Sequence, residues 1–372
     1  MIFRIDELKD TCNIILSAVD STAGSVINET LELKVEDGKF VMCVTNREYY
    51  VKVKLTTAVD DENFHATVNA NIFLKLISKI TTDTVELKIS NNNLVIVGNG
   101  NYKLPMIYDG TELLVLPTID INNVTINFDI DGTILNSINK YNVKQLSMGT
   151  IMNPIQKLFY VDENGAITFT SGACVNKFSL KSPVRMLLNQ KLVRMFSLFK
   201  GKQVAFSMGY DPISQEIIQT KVKFETDSVI ITSILSFDDT LLNKFPATAV
   251  RGRAFNVYDH SVVINRNELV QTIDRLMLFP STFANKLYSK FVFGSDSVKI
   301  FDPSSQNSES IYYNNSSNIN DDEPYETLID LNDIKPTLDS FSEQYVTLNF
   351  GNHQAVSLSI GDIYYVVPEV VE

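Results

Sequence analysis

Residues 69–97, NANIFLKLISKITTDTVELKISNNNLVIV, change their period midway. Ile72, Phe73, Leu76, Ile77 and Ile80 recur at helical spacing and predict one apolar helix face, with Lys75 and Lys79 one turn apart on the other side. Val85, Leu87 and Ile89 then alternate with polar residues, residues 90–93 supply turn chemistry, and 94–97 run back as a second strand. The stretch predicts a short helix followed by an antiparallel hairpin. Its outer helix face is basic and carries no acid.

The same order recurs twice. Residues 185–208 predict a helix with Leu188, Leu192, Met195, Phe196 and Phe199 inward, then Val204, Phe206 and Met208 alternating. Residues 332–360 give Ile334, Leu338 and Phe341, then Val346, Leu348 and Phe350, a Gly351-Asn352 turn, and Val356, Leu358 and Ile360. A second unit interleaves with the first. Residues 2–5 predict a strand and 6–19 a helix with Leu8, Ile15 and Val19 inward, followed by a hairpin turning at Gly38. Strand 124–129, helix 134–146 and a turn at Gly165 repeat that order, as do strand 261–264, helix 266–279 and a turn at Gly294. A strand is also expected at 178–180. The three turn glycines lie 127 and 129 residues apart, an interval that predicts tandem duplication. Residues 109–123 and 237–256 read as connectors, and the Ser/Asn-rich acidic stretch 303–324 as a long surface loop.

A chain of 372 residues is long enough for two or three cores. The N-terminal residues lack the pattern of a signal peptide, and no apolar run approaches the ~18 residues a membrane span needs. Three scattered cysteines, Cys12, Cys43 and Cys174, fit a reducing compartment and argue against a metal cluster. A cytoplasmic location is expected, with no membrane partner.

A net charge of −12 argues against nucleic acid until the charges are placed. Six helix windows (6–19, 70–80, 134–146, 185–200, 264–279 and 332–342) hold twelve Lys or Arg against seven acids. Their net +5 leaves −17 for the rest of the chain. Basic helices in an acidic protein are the main physical clue. Lys75/Lys79, Lys140/Lys144 and Lys191/Arg194 are acid-free pairs of the kind that neutralise phosphate without reading bases.

One enzymatic reading competes. FDIDGT, residues 128–133, resembles the Asp-x-Asp-Gly-Thr signature of haloacid-dehalogenase-like phosphatases, in which Asp129 would be the nucleophile and Asp131 the general acid. Asp238-Asp239 would then be a magnesium pair, although adjacent acids also occur at 60–61 and 321–322. That fold needs a parallel sheet, whereas this chain offers hairpins, and a strand-ending, helix-capping turn explains the motif equally well. His65, His260 and His353 are isolated, and no phosphate-binding Gly-rich loop is present. No cofactor and no catalytic residue is expected. A third reading is a structural β-rich assembly protein without a DNA role.

Taken together, the repeats resemble the bacterial-type DNA polymerase sliding clamp, the β subunit, over the whole chain. The stretches that carry the likeness are LKVEDGKFVMCVTNREYYVKV (33–53), HATVNANIFLKLISKI (65–80), LLNKFP (241–246), VINRNELVQTIDRLMLF (263–279) and YYVVPEV (364–370). The resemblance implies an α+β fold of three tandem clamp repeats, at 1–122, 123–250 and 251–372, closing into a ring as a head-to-tail homodimer around duplex DNA. It implies a non-enzymatic processivity factor whose partners are the replicative polymerase and the clamp-loader ATPase. Lys75, Lys79, Lys140, Lys144, Arg185, Lys191, Arg194, Lys200 and Arg266 would face DNA. Thr170, Gly172, Val175, Tyr365, Val366, Val367 and Pro368 would form a partner-peptide cleft, and Tyr102 and Leu104 would meet Leu278 and Phe279 of a neighbour. Two departures stand out: the usual Asp-Gly-His-Arg is Ser171-Gly172-Ala173-Cys174, and the usual Met-Pro-Met is Val367-Pro368-Glu369. The first-domain loop that often presents an arginine reads Ala23-Gly24-Ser25. Such divergence points to a phage or mobile-element member.

Overall fold

The fold is taken from a computed structural model that describes all residues except 21–23, 59–62, 147–152, 213–217, 236–238, 281–285, 316–317, 352–354 and 370–372. Ala23, Asp60, Asp61, Asp238, Asn352 and His353 therefore lie outside the described residues. The chain divides into two compact units. One comprises Met1–Thr133 and Arg194–Phe237, the other Ile134–Val193 and Asp238–Glu372.

The helices, in chain order, are α1 Ile5–Leu16, α2 Ala70–Lys79, α3 Gly132–Ser137, α4 Val143–Gln145, α5 Gln190–Met195, α6 Asp239–Lys244, α7 Ala247–Ala254, α8 Arg266–Leu276 and α9 Leu331–Ser340. A π-helical turn, Ile138–Asn142, joins α3 to α4.

In the first unit a four-stranded sheet has the order Ile2–Arg4, Thr84–Ser90, Asn93–Val97, Asn101–Pro105. An eight-stranded sheet runs Val124–Asp131, Gln203–Pro212, Ile218–Glu225, Val229–Leu235, Tyr49–Ala58, Lys39–Thr45, Thr30–Glu36, His65–Asn69. The second unit repeats the plan. Its eight strands run Arg185–Leu188, Phe159–Asp162, Gly165–Phe169, Ala173–Lys177, Ile363–Pro368, Ala355–Ile360, Tyr345–Phe350, His260–Asn265, and its four Ser308–Tyr312, Ser297–Phe301, Tyr288–Phe293, Tyr325–Asp330. Among the described residues every strand pairing is antiparallel, as hairpin connections require.

The repeating element is thus a quartet of strands. Each eight-stranded sheet is two quartets joined at a seam, where Thr232 opposes Tyr50 in the first unit and Cys174 opposes Tyr365 in the second. In every quartet one outer strand feeds straight into a helix: α1, α2, α3, α5, α8 or α9. The junction is a capping device. Asn69, Asp131, Asn189, Asn265 and Asp330 each accept a hydrogen bond from a backbone amide two or three residues on, at 2.8 to 3.1 Å. This satisfies a donor that the first helical turn leaves without a partner.

In places packing overrides periodicity. In α2 the buried residues are Ala70, Phe73, Leu74 and Ile77, whereas Ile72 is 55% exposed. Residues 185–188 form a strand, and the helix begins only at Gln190, because Met186, Leu187 and Leu188 complete the sheet beside Phe159–Asp162. Residues 178–180 are not a strand; pairing with Gly165–Phe169 places it at Ala173–Lys177. The connector 237–256 contains α6 and α7, and the loop 303–324 contains the edge strand Ser308–Tyr312.

Candidate functional site

The phosphatase reading is settled by the residues themselves. Val124–Asp131 is an outer strand antiparallel to Gln203–Pro212, with Asp129 exposed opposite Ala205. The Asp131 carboxylate accepts from the Thr133 backbone amide at 2.8 Å, which holds its pKa below the usual range. Gly132 is required by close approach, since a Cβ there would lie 1.8 Å from the Phe199 carbonyl oxygen. The motif is a capped strand-to-helix turn, and nothing in it supports a phosphatase. Among the described residues no three His, Cys, Asp or Glu side chains gather where a metal could sit. All three cysteines are buried free thiols, and desolvation pushes Cys12 and Cys43 up to about 12. Among the described residues no helix is long and apolar enough to cross a membrane.

Two surfaces remain. The first is the set of cationic helix faces. Lys75 and Lys79 are exposed on α2, whose inner face buries Phe73, Leu74 and Ile77, each worth about 2 kcal/mol. Lys140 lies in the π turn, half-buried, its Nζ donating to Tyr141 Oη at 2.8 Å and Ser342 Oγ at 3.1 Å. Lys144 is exposed on α4. Lys191 and Arg194 are exposed on α5, and Lys200 just beyond its last 3-10 turn. Arg185 is on a strand rather than a helix and donates to Asn243 Oδ1 at 3.3 Å. The Arg266 guanidinium is engaged inside the protein, on the carbonyls of Glu343 and Leu338 and on Asn267 Oδ1, at 3.1, 2.9 and 2.7 Å.

The second surface is a pocket of about 120 Å³ in the second unit. Phe169, Thr170, Ser171, Gly172, Ala173, Val250, Arg253, Ala355, Val366 and Pro368 line it. Its rim is the turn 170–172 between Gly165–Phe169 and Ala173–Lys177, and each rim residue is tied down. Gln145 Nε2 donates to Thr170 Oγ1 at 2.8 Å, and Ser171 Oγ donates to Asp333 Oδ1 at 2.7 Å. Gly172 packs so closely that a Cβ would stand 2.5 Å from the Val366 carbonyl oxygen. Of the residues anticipated from sequence, Thr170, Gly172, Val366 and Pro368 line the pocket. Tyr365 and Val367 face the other side of the sheet, in the core with Cys174, whereas Val175 shares the face of Ala173 and Val366 but is buried beside the lining; the Tyr365 hydroxyl donates to the Tyr141 carbonyl. Phe169, Val250, Arg253 and Ala355 were missed. Val250 and Arg253 sit on α7, where the alternating or helical apolar pattern that marks a site is absent.

Tyr102 and Leu104 lie on the edge strand Asn101–Pro105 of the first unit, Leu104 turned into its core. Leu278 and Phe279 follow α8 in the second, 82% and 38% exposed.

Strand quartets that each launch a helix, two of them joined edge to edge in the eight-stranded sheet of each unit, define the DNA-clamp class of fold. Solved structures with it include the DNA polymerase III β subunit of Thermotoga maritima, 16% identical with a TM-score of 0.76 over 100% of this chain and 99% of that one. The sliding clamp of Bacillus subtilis, also 16% identical, gives 0.76 over 100% and 98%. A Pseudomonas aeruginosa sliding clamp bound to griselimycin, 13% identical, gives 0.77 over 100% and 99%. No protein-family model matches the sequence, and no curated protein does. The fold is that of the DNA polymerase III β subunit.

Proposed function

We propose that this chain is a processivity factor, a sliding clamp that encircles duplex DNA and tethers the replicative polymerase without catalysing a reaction. The observation that carries the reading is the pattern of quartet edges. Among the described residues, four of the six edges opposite the helix-feeding strands are consumed in the two seams. The two left over, Asn101–Pro105 and Ser308–Tyr312, belong to the two four-stranded sheets. An unpaired strand edge is a template for another strand. If one copy's Asn101–Pro105 meets another's Ser308–Tyr312, two copies joined head to tail leave no such edge, and a heterologous contact closes into a ring.

Three repeats, at 1–122, 123–250 and 251–372, fit this scheme. The two compact units cut across them because each eight-stranded sheet joins quartets of successive repeats. Basic faces bearing Lys75, Lys79, Lys140, Lys144, Lys191 and Arg194 suit weak attraction to backbone phosphates without register, so the ring slides. The pocket around Thr170, Gly172, Val366 and Pro368 suits an apolar peptide segment of a polymerase or a clamp-loader ATPase. A cytoplasmic location follows from that role.

The test is topological. The chain should be retained on closed circular duplex and lost when the circle is cut, and it should travel as a particle of about 84 kDa, twice the 41.8 kDa chain. Equal retention on circles and on free-ended DNA would sink the encircling mechanism. A β-rich assembly protein without a DNA role predicts no salt-sensitive association at all.

A further inference from the structure

The basic helices are not equivalent, and the difference lies in what their cations already hold. On α8 and α9 every cation is engaged. Arg275 forms a two-point pair with Glu309 at 2.8 and 2.5 Å. Lys335 bridges Asp274 at 2.9 Å and Asp339 at 3.0 Å. Arg266 serves carbonyl groups near the end of α9. The same two helices present Glu268, Asp274 and Asp339 to solvent. Helix α1 follows suit: Lys9 Nζ donates to the Ile80 carbonyl at 2.6 Å, and Asp6 and Asp10 are exposed.

α2 and α5 differ. Between residues 70 and 80, and again between 190 and 200, there is no Asp or Glu. Among the described residues no carboxylate stands within ion-pair distance of Lys75, Lys79, Arg194 or Lys200.

We infer that duplex phosphate is held by α2, by α5 and by the turn that follows it, at Lys75, Lys79, Arg194 and Lys200, while α1, α8 and α9, whose cations are already held by carboxylates or carbonyls, make no phosphate contact. This rests on the clamp reading above and sharpens it by dividing the helices. The physical ground is competition. A cation already paired with a carboxylate must lose that partner before it neutralises phosphate, so it releases little or no counterion from the DNA. An unpaired one releases a counterion for each phosphate it covers. The two helices of the third repeat, with three cations against four acids, then add no net positive charge to the wall. Arg266, expected from sequence among the DNA-facing residues, has its guanidinium donors committed to the Glu343 and Leu338 carbonyls and Asn267 Oδ1, and so falls with α8 and α9.

The experiment reads the salt dependence of binding by the full chain to a fluorescent duplex of about 30 base pairs, between about 50 and about 200 mM salt. Replacing Lys75 and Lys79 together by Ala should make the slope of log K against log salt shallower by roughly 2, since each neutralised phosphate contributes about 0.9. Arg194→Ala with Lys200→Ala should do the same. Arg275→Ala with Lys335→Ala should leave the slope unchanged. If that double variant does not fold, Lys335→Ala alone reads the same quantity, because Lys335 bridges only exposed carboxylates. A slope that falls as far for the α8/α9 variants as for the α2 pair overturns the division while leaving the clamp reading intact. An unaltered chain whose duplex binding ignores salt removes the clamp reading itself, and the division with it.

Discussion

The Ser171 hydroxyl donates to the buried Asp333 carboxylate at 2.7 Å, fastening the rim of the pocket to the first turn of α9. Burial raises the Asp333 carboxyl above its ordinary range, against the opposing pull of the Ser171 hydrogen bond, while Asp330 raises it further and Lys286 lowers it.

Ser171→Ala should therefore leave a buried carboxylate oxygen without its donor. A loss of about 1.5–3 kcal/mol is expected in denaturant unfolding. Because the folded pKa of Asp333 is raised, the native state holds this proton more tightly than the unfolded chain. Its contribution is fully present below the ordinary carboxyl pKa and is lost as pH rises through the folded value. Asp333→Asn keeps an acceptor for Ser171 and removes the titration. Its stability should thus decline less than that of the unaltered chain over that window, and an identical pH profile would contradict the assignment.

Gly132→Ala drives a Cβ to 1.8 Å from the Phe199 carbonyl oxygen, so backbone must move. We expect destabilisation of about 3 kcal/mol or more, visible as a lowered Tm. Asp129→Asn, on an exposed outer strand, should stay within about 0.5 kcal/mol of the unaltered chain. It should also leave any phosphatase background where it was.

Deleting residues 368–372 removes Pro368 from the pocket wall. Affinity for a polymerase or loader subunit should drop by about tenfold or more, equivalent to about 1.4 kcal/mol, while the solution mass is unchanged. Undiminished affinity would move the peptide site elsewhere.

Leu278 and Phe279 form an exposed apolar pair next to α8. Replacing both by Asp should convert the proposed ~84 kDa particle to one of 41.8 kDa with unchanged circular dichroism. A dimer that survives this change places the contact between copies away from the pair.

What could be read in the chain alone were its local alternations. The period change within 69–97 announces a helix and a hairpin, and the spacing of Gly38, Gly165 and Gly294 announces duplication, because side-chain period and turn chemistry are properties of neighbouring residues. The acid-free run from 70 to 80 is equally visible. The capping role of Asp131 was legible as one of two meanings; only the antiparallel pairing of its strand decided between them. Pairings over long separations were not legible. Nothing near Cys174 says that it will face Tyr365 at a seam, or that α7 will bring Val250 and Arg253 to the pocket. Nor does spacing reveal that Arg266, Arg275 and Lys335 have acceptors waiting while, among the described residues, Lys75 and Lys79 have no carboxylate partner. Such facts depend on which strands adjoin, and adjacency is set by burial summed over the whole chain.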